Sequence, residues 1–198
     1  GGLVSVDTCK EQMIYEIHNP KAYLTPDATA DFSKVTFRQI GENQVRAEHA
    51  TTHGRPETLK VSVGYKDCFI GEGEISYGGS NCMARAELAA EILEKRIELT
   101  GIELEEYRTD FIGCNSLYRD AISKEIGSGT PCEVRLHAAG RTKDRKNAVL
   151  LANEVEALYT NGPAGGGGAV KRVSEIVSVC SIFVPRDAVE AKVTLREV

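Results

Sequence analysis

The 198-residue sequence has no tryptophan and no apolar run approaching the ~20 residues that a membrane-spanning helix requires. Its longest apolar candidate, residues 176–184, has the length of one buried strand. The first four residues, Gly-Gly-Leu-Val, lack the basic segment and long apolar core of a signal peptide. The sequence therefore predicts no membrane segment and a cytoplasmic protein. The leading glycine pair indicates either an appended sequence or a start inside a larger protein.

A surplus of basic residues is also missing, since the formal net charge is −5. Nucleic-acid-binding domains normally concentrate lysine and arginine on one face. Two short basic stretches, residues 141–146 and Lys171-Arg172, are too small to reverse this balance. We therefore predict no nucleic-acid partner, although either stretch could receive the phosphate or carboxylate of a small ligand.

The cysteine-pair motif of zinc and redox sites and the serine elbow of hydrolases do not appear. The six cysteines show no C-x-x-C spacing, and their scatter favours free thiols in a reducing compartment over a disulfide framework. His53 falls in a predicted chain break and His49 on a predicted hairpin, so neither is assigned to a metal site. There is no Gly-x-Ser-x-Gly elbow. No residue is assigned as a metal ligand, and the sequence leaves the metal, the catalytic residues and the cofactors unknown.

Regular patterns are strongest from Leu59 onward. Residues 59–65 alternate between large apolar side chains and small or polar ones, and in residues 69–77 Glu72, Glu74 and Ser76 fall on the face opposite Phe69, Ile75 and Tyr77. This period of two predicts two strands with Asp67 in the turn between them. Apolar residues at helical spacing then predict a helix over residues 83–100, ended by Gly101. The later predicted elements are a strand over 107–113, a helix from Asn115 or Ser116 to Ile126, a strand over 134–138, a helix over 143–159 capped by Thr142, and strands over 176–184 and 191–198.

The first part of the chain carries weaker patterns. Asp7 is a candidate N-cap of a short helix, and residues 35–49 have the alternation of a hairpin. Because residues 51–56 break the pattern, we predict an extended entry segment with a hairpin over 1–56 and an α+β domain over 57–198. The order of elements predicts a mixed β-sheet with packed helices, and it weakly indicates a ferredoxin-like arrangement.

A glycine-rich stretch, residues 160–168, is the most conspicuous candidate site. Glycines lack Cβ, so backbone N–H groups can converge on an anion such as a phosphate of a nucleotide or of coenzyme A. The match to known phosphate loops is poor. The alternative is an inter-element loop whose glycines allow a close turn. The candidate ligand contacts are Asn161, Gly162, Gly165, Gly166, Gly167 and Lys171.

Glu72 and Glu74 form the second candidate site. Because they alternate on one predicted strand, both carboxylates project from the same face and could bind a metal ion or share acid–base work, so both are candidate ligand contacts. The alternative is a solvated sheet face. The intervening Gly71 and Gly73 indicate that a backbone or a ligand approaches the opposite face closely.

Three contiguous stretches carry a family resemblance: residues 5–32, with Tyr23-Leu24-Thr25-Pro26-Asp27; residues 59–79, centred on Gly71-Glu72-Gly73-Glu74; and residues 154–168, with Asn161-Gly162-Pro163. Together they cover nearly the whole chain and resemble the acyclic terpene utilisation (AtuA) family. The resemblance implies that the chain is similar to the second half of the family domain, with the N-terminal half as a partner. It also implies a place in acyclic terpene and acyl-CoA catabolism. It supplies no catalytic residues.

Two function hypotheses follow. In the first, the chain is part of an enzyme acting on an acyl-CoA or an organic acid, and residues 5–31 complete a cleft with the N-terminal half. In the second, it is a non-catalytic assembly domain whose glycine-rich stretch lies at a subunit interface. A homo-oligomer is expected. A polar pocket shared by the glycine-rich stretch and residues 15–27 would favour the first hypothesis, and apolar burial against another copy would favour the second.

Overall fold

The computed structural model of this chain describes residues 1–127, 129 and 131–197. These residues form two compact units. The first unit comprises residues 1–63 and the segment from residue 179 onward, and the second comprises residues 64–178. No helix in the described ranges is long and apolar enough to cross a membrane. The predicted domain boundary between residues 56 and 57 stays a prediction.

Helices and strands together confirm the predicted α+β class. The helices are Val6–Ile14 (α1), Cys82–Thr100 (α2), Arg119–Ile126 (α3) and Arg145–Asn161 (α4). The strands are Tyr23–Leu24 (β1), Thr29–Asp31 (β2), Thr36–Gly41 (β3), Gln44–Glu48 (β4), Thr51–Thr52 (β5), Thr58–Gly78 (β6), Glu106–Ile112 (β7), Glu133–Thr142 (β8) and Gly166–Pro185 (β9).

The second unit is built on a four-stranded sheet in the order β7-β8-β6-β9. Along the chain its main elements run β6-α2-β7-β8-α4-β9, with α3 inserted between β7 and β8. This order of elements and of strands is the split β-α-β arrangement of ferredoxin-like folds. The weakly indicated ferredoxin-like topology is therefore present.

The sheet is antiparallel, whereas a mixed sheet was predicted. β8 runs antiparallel to β6 and to β7. Contacts between β6 and β9 run from Gly64 beside Val177 to Gly166 beside Ile75, so this pair is antiparallel too. The difference arises because β8 lies between the two strands that α2 connects. A strand–helix–strand pattern fixes the direction of two strands but does not show that they are neighbours.

The two strands predicted around Asp67 are one continuous strand, β6. Asp67 lies within this strand and not in a turn. Its carboxylate accepts hydrogen bonds from Arg141 (2.9 Å), Lys143 (3.0 Å) and Ser178 (2.6 Å). These partners lie on β8, just after it, and on β9. A charged residue that reads as a turn signal is therefore accommodated inside the sheet by neighbouring strands.

Several helix starts differ from the predicted caps. Ser5, not Asp7, caps α1 in a reciprocal capping box with Thr8. At α4 the cap is Asp144, whose side chain accepts from the Lys146 N–H, while Thr142 ends β8. α3 starts at Arg119 after Tyr118, whose side chain makes no capping hydrogen bond. Asn115, one predicted cap, instead accepts from the Phe111 N–H and donates to Asp120.

The strand predicted over residues 191–198 is wrong for the described residues 191–197, which form no strand. Val193 and Leu195 are almost fully exposed, so their alternation does not correspond to a buried face. Residue 198 lies outside the described residues. The chain instead leaves β9 through a short 3-10 turn, Arg186–Ala188.

The first unit confirms the predicted hairpin. β3 and β4 pair antiparallel, and Asn43 in their connection has a φ of 53°. β1, β2 and β5 form a small antiparallel sheet. Arg186 donates to the backbone oxygens of Pro26 and Pro56, which holds the loops around this sheet.

The core of the second unit lies between its sheet and the helices α2 and α4. Its buried side chains include Ile75, Tyr77, Ala86, Leu93, Val134, Leu136, Val155 and Leu158. A Cβ added to Gly71 would lie 2.1 Å from the backbone oxygen of Ala148, and one added to Gly73 would lie 2.4 Å from Cβ of Val155. The predicted close approach at these glycines is thus made by α4.

Candidate functional site

We name the side of the four-stranded sheet that faces away from α2 and α4 the helix-free face. It carries a row of charged side chains. Because side chains alternate along a strand, burying Gly71, Gly73, Ile75 and Tyr77 on the helix side places Glu72 and Glu74 on the other side. Strand pairing then sets their neighbours. The charged members of this row are Glu72 and Glu74 of β6, Arg108 and Asp110 of β7, Arg135 and His137 of β8, and Arg172 of β9.

His137 lies at the centre of this row, between two carboxylates. Its Nε2 is 3.5 Å from Oε1 of Glu72, and its Nδ1 is 3.8 Å from Oδ2 of Asp110. The side chain retains 23% of its accessible surface, so the imidazole is partly open to solvent. Both distances are longer than an ordinary hydrogen bond, so the carboxylates are charge contacts that flank the ring and leave the imidazole placed to accept or donate a proton.

Each of the three carboxylates in the row, those of Glu72, Glu74 and Asp110, forms an ion pair with one arginine. Arg108 contacts Asp110 at 2.6 Å, Arg172 contacts Glu72 at 3.0 Å, and Arg135 pairs with Glu74. Three carboxylates thus face three guanidinium groups, and the row is balanced in charge when His137 is neutral.

The most accessible member of the row is Arg172. Its side chain is 74% exposed, whereas that of Arg135 is 28% exposed. A cavity of about 300 Å³ opens beside it, lined by Glu72, Gly73, Glu74, Val170, Lys171 and Arg172. Arg172 is therefore the cation on this face with the most freedom to change its partner.

A second charged cluster on the same face has a structural role. Hydrogen bonds from Ser178 and Lys143, with the nearby guanidinium of Arg141, lower the pKa of Asp67 to about 2. Arg141 also approaches Glu105 at 3.3 Å. Because Asp67 is fully engaged by these groups, its carboxylate ties β6, β8 and β9 together.

The glycine-rich stretch is only partly a loop, because Gly166 and Gly167 already belong to β9. Gly162 follows the last residue of α4, Asn161, and its N–H donates to Leu158. Gly165 has a φ of 78° and leaves room for Arg85, which donates to the backbone oxygen of Ala164 at 2.8 Å. These glycines therefore have a packing role next to α2.

Gly166 also allows a close approach, since a Cβ there would lie 2.9 Å from Ile75. Lys171 projects toward α4, where its ammonium group contacts Asn153 at 2.9 Å and Glu156. A depression lined partly by Glu156, Tyr159 and Gly168 lies on that side. The side chains of Glu72 and Glu74 thus lie on one side of the sheet and the ammonium group of Lys171 on the other, although all three residues line the cavity beside Arg172.

The predicted pocket shared by this stretch and residues 15–27 stays a prediction. Those residues belong to the first unit, whereas the glycine-rich stretch belongs to the second. Residues of the first unit, including Glu16, His18 and Tyr23, line a cavity of about 280 Å³.

Sequence reasoning did not assign His137, Asp110 or Arg172 to the site. The alternation of Arg135 and His137 with Val134 and Leu136 did place two charged side chains on one strand face. What the sequence could not show was the register, in which His137 lies opposite both Glu74 and Asp110. Only the strand order brings the two acidic strands to either side of His137.

Metal-ligand geometry does not occur among the described residues, where no group of three or more His, Cys, Asp or Glu side chains could hold an ion. His49 and His53 are four residues apart, but His49 contacts Thr36 at 3.0 Å and His53 contacts Asp31 at 3.5 Å. The six cysteines are free thiols.

A sequence model of the acyclic terpene utilisation family protein AtuA matches residues 1–195. The chain belongs to this family. The match confirms the resemblance carried by the three stretches, and AtuA membership points to acyclic terpene utilisation as the setting of the protein. Comparison with curated proteins and with solved structures gives no match.

Proposed function

We propose that the helix-free face binds an organic acid of acyclic terpene catabolism, either free or as its coenzyme A thioester. The observation that supports this proposal is the position of His137 between Glu72 and Asp110, next to the exposed Arg172. Family membership supplies the class of compound, and the arginine supplies a group that recognises a carboxylate or a phosphate.

Charge balance explains how an anion would be accepted. An exposed ion pair is worth about 0–1 kcal/mol, so exchanging the Glu72 contact of Arg172 for a ligand carboxylate costs little. The exchange leaves Glu72 with one cation fewer, beside the imidazole of His137. Protonation of His137 would restore the balance. We therefore expect anion binding to be accompanied by proton uptake.

The same geometry suits proton transfer. Glu72 and Asp110 flank the imidazole ring, and the His137 side chain retains 23% of its accessible surface. A substrate whose carboxylate or thioester is held by Arg172 would place its adjacent carbon near His137, which can then act as a general base or acid. His137 is the residue that we assign to this role.

Isothermal titration calorimetry tests the proposal. The probes are a branched C10 acid, its coenzyme A thioester and coenzyme A alone, each titrated into the whole chain in two buffers of different ionisation enthalpy. Binding of the acid and of the thioester, with a buffer-dependent enthalpy, supports recognition of the acyl group with proton uptake. Binding of the thioester and of coenzyme A alone would instead place the contact at the phosphates.

Matched variants locate the contact. We expect Arg172→Gln to weaken binding about tenfold or more, the equivalent of losing one charge-assisted hydrogen bond. His137→Gln should remove the buffer dependence while leaving the fold intact. Arg145→Gln is the control, because Arg145 is an exposed arginine at the start of α4. Unchanged binding in Arg172→Gln, or no binding of any probe at millimolar concentration, would refute the proposal.

A further inference from the structure

β9 forms one side of the four-stranded sheet, and no described strand pairs with its outer edge. Exposed apolar side chains accompany this edge, with Val170 52% and Val177 62% exposed. Long edge strands with apolar side chains are sites where another strand can add through backbone hydrogen bonds. The part of β9 within the second unit, residues 166–178, is therefore a surface that a further strand could extend.

We propose that the strand added to this edge is β9 of a second copy of the chain, paired antiparallel around a two-fold axis at Val173. The proposal does not depend on the ligand proposed above. It rests on the pattern of charges along β9, which is complementary to itself in one register.

The alternation of side chains restricts the possible registers. Lys171 points to the helix side, where it contacts Asn153 and Glu156, and Arg172 points to the helix-free face, where it contacts Glu72. In a continuous antiparallel sheet, residues directly opposite each other share a face. A two-fold axis between the copies must therefore pass through a residue and not between two residues.

Charge then selects among the remaining axes. An axis at Lys171, at Arg172 or at Glu175 places each of these residues opposite its own copy, and like charges directly opposite are destabilising. An axis at Ser174, or at any other uncharged residue of 166–178 except Val173, forms no ion pair across the edge. An axis at Val173 places Lys171 opposite Glu175 of the second copy, and symmetry repeats this pair.

The groups that would form these pairs are accessible. The side chains of Lys171 and Glu175 are 40% and 46% exposed, and both lie on the helix side of β9. Within one copy Glu175 contacts Lys66 at 2.9 Å. The proposed pairing would add a second cation to Glu175, and it would bring the half-buried Val173 against its symmetry mate.

Such a dimer would join two four-stranded sheets into one sheet of eight strands with all four long helices on one side. On the helix-free face, Arg172 would lie opposite Ser174 of the second copy. The second copy would therefore contribute a hydroxyl group beside the most exposed cation of the candidate site.

A charge-swap experiment tests this inference on the whole chain, with the dimer dissociation constant measured by sedimentation equilibrium. Lys171→Glu and Glu175→Lys each turn two attractive pairs into two repulsive pairs, and we expect each to raise the constant about tenfold or more. The double variant, K171E/E175K, restores opposite charges and should recover most of the wild-type affinity.

The matched control is Lys66→Glu, which breaks the contact of Glu175 within one copy without changing a residue of the proposed edge. It should remain as dimeric as the wild type. A wild-type chain that is still monomeric at a protein concentration of about 100 µM would overturn the inference. So would a dimer that both single reversals leave unchanged, or one that the double swap fails to restore.

Discussion

Gly73 offers the most direct test of how α4 packs on the sheet. A Cβ placed on Gly73 would lie 2.4 Å from Cβ of Val155 and 2.7 Å from each of its two Cγ atoms. Ordinary carbon contacts are about 3.5–4.0 Å, so Gly73→Ala requires α4 or β6 to move by about 1 Å. Both elements lie in the closely packed core.

The size of the effect follows from this overlap. Inserting a methyl group into a packed core costs about 1–3 kcal/mol, and replacing glycine by alanine returns about 0.4–1 kcal/mol through the unfolded chain. The clash involves a branched side chain on a helix, so we expect Gly73→Ala to lower the free energy of unfolding by about 2 kcal/mol. Urea unfolding followed by far-ultraviolet circular dichroism measures this loss.

A double-mutant cycle shows whether Val155 causes the loss. Val155→Ala removes both Cγ atoms but keeps the Cβ at 2.4 Å, whereas Val155→Gly removes all three clashing atoms. Gly73→Ala should therefore cost less in the Val155→Ala background and least in the Val155→Gly background. The coupling free energy should rise along this series, to about 1–2 kcal/mol.

Gly71 provides the control for the cycle. A Cβ there would meet the backbone of Ala148, at 2.1 Å from its oxygen, and truncating Val155 removes none of these atoms. Gly71→Ala should be at least as destabilising as Gly73→Ala and should show no coupling to Val155. The packing argument is refuted if Gly73→Ala costs less than about 0.5 kcal/mol, or if its coupling to Val155 is no larger than that of Gly71.

Three further predictions follow from the same structure. The pKa of Asp67 is depressed from 3.8 to about 2, so its contribution to stability is present above pH 3.8 and is lost as the pH falls toward 2; Asp67→Asn should be less stable than wild type at pH 7, with the difference in urea midpoint closing between pH 4 and pH 2. The buried hydroxyl of Tyr77 has no hydrogen-bond partner in the described part of the chain. The free energy of unfolding of Tyr77→Phe should therefore lie between about 0.5 kcal/mol below and about 1 kcal/mol above that of the wild type. A larger loss of stability in urea unfolding would mean that the hydroxyl does have a hydrogen-bond partner. Arg85 donates to the backbone oxygens of Gly78, Ser80 and Ala164, so Arg85→Met should lower the thermal midpoint through a loss of about 1–3 kcal/mol, and an unchanged midpoint would contradict this role.

Local patterns were sufficient for most elements of the second unit. The helical spacing over 83–100 predicted α2, and the alternation over 134–138 predicted the centre of β8, because a buried face imposes its period on the sequence. The same reasoning failed at residues 191–197, where an alternating pattern has no neighbouring strand to bury it. Alternation shows that a segment has two faces, but it does not show that one of them is covered.

The site was harder to predict than the fold. Glu72 and Glu74 were correctly placed on a shared face, since that follows from alternation within one strand. Their partners lie 61–100 positions away in the sequence, at Arg135, His137 and Arg172. No short-range pattern contains that information. The glycines were likewise identified as sites of close approach, but only the structure shows that α4 and Arg85 occupy the space.

Exposure along the charged row indicates where a ligand would enter. Glu74 and Arg135 are both about 70% covered, so separating them would leave a charge partly buried without a partner. Arg172 can leave Glu72 at much lower cost because water already surrounds it. An anion should therefore approach from β9 and not from the centre of the sheet. The same strand is the one that we propose to pair with a second copy, so binding at Arg172 and dimerisation should influence each other's affinity.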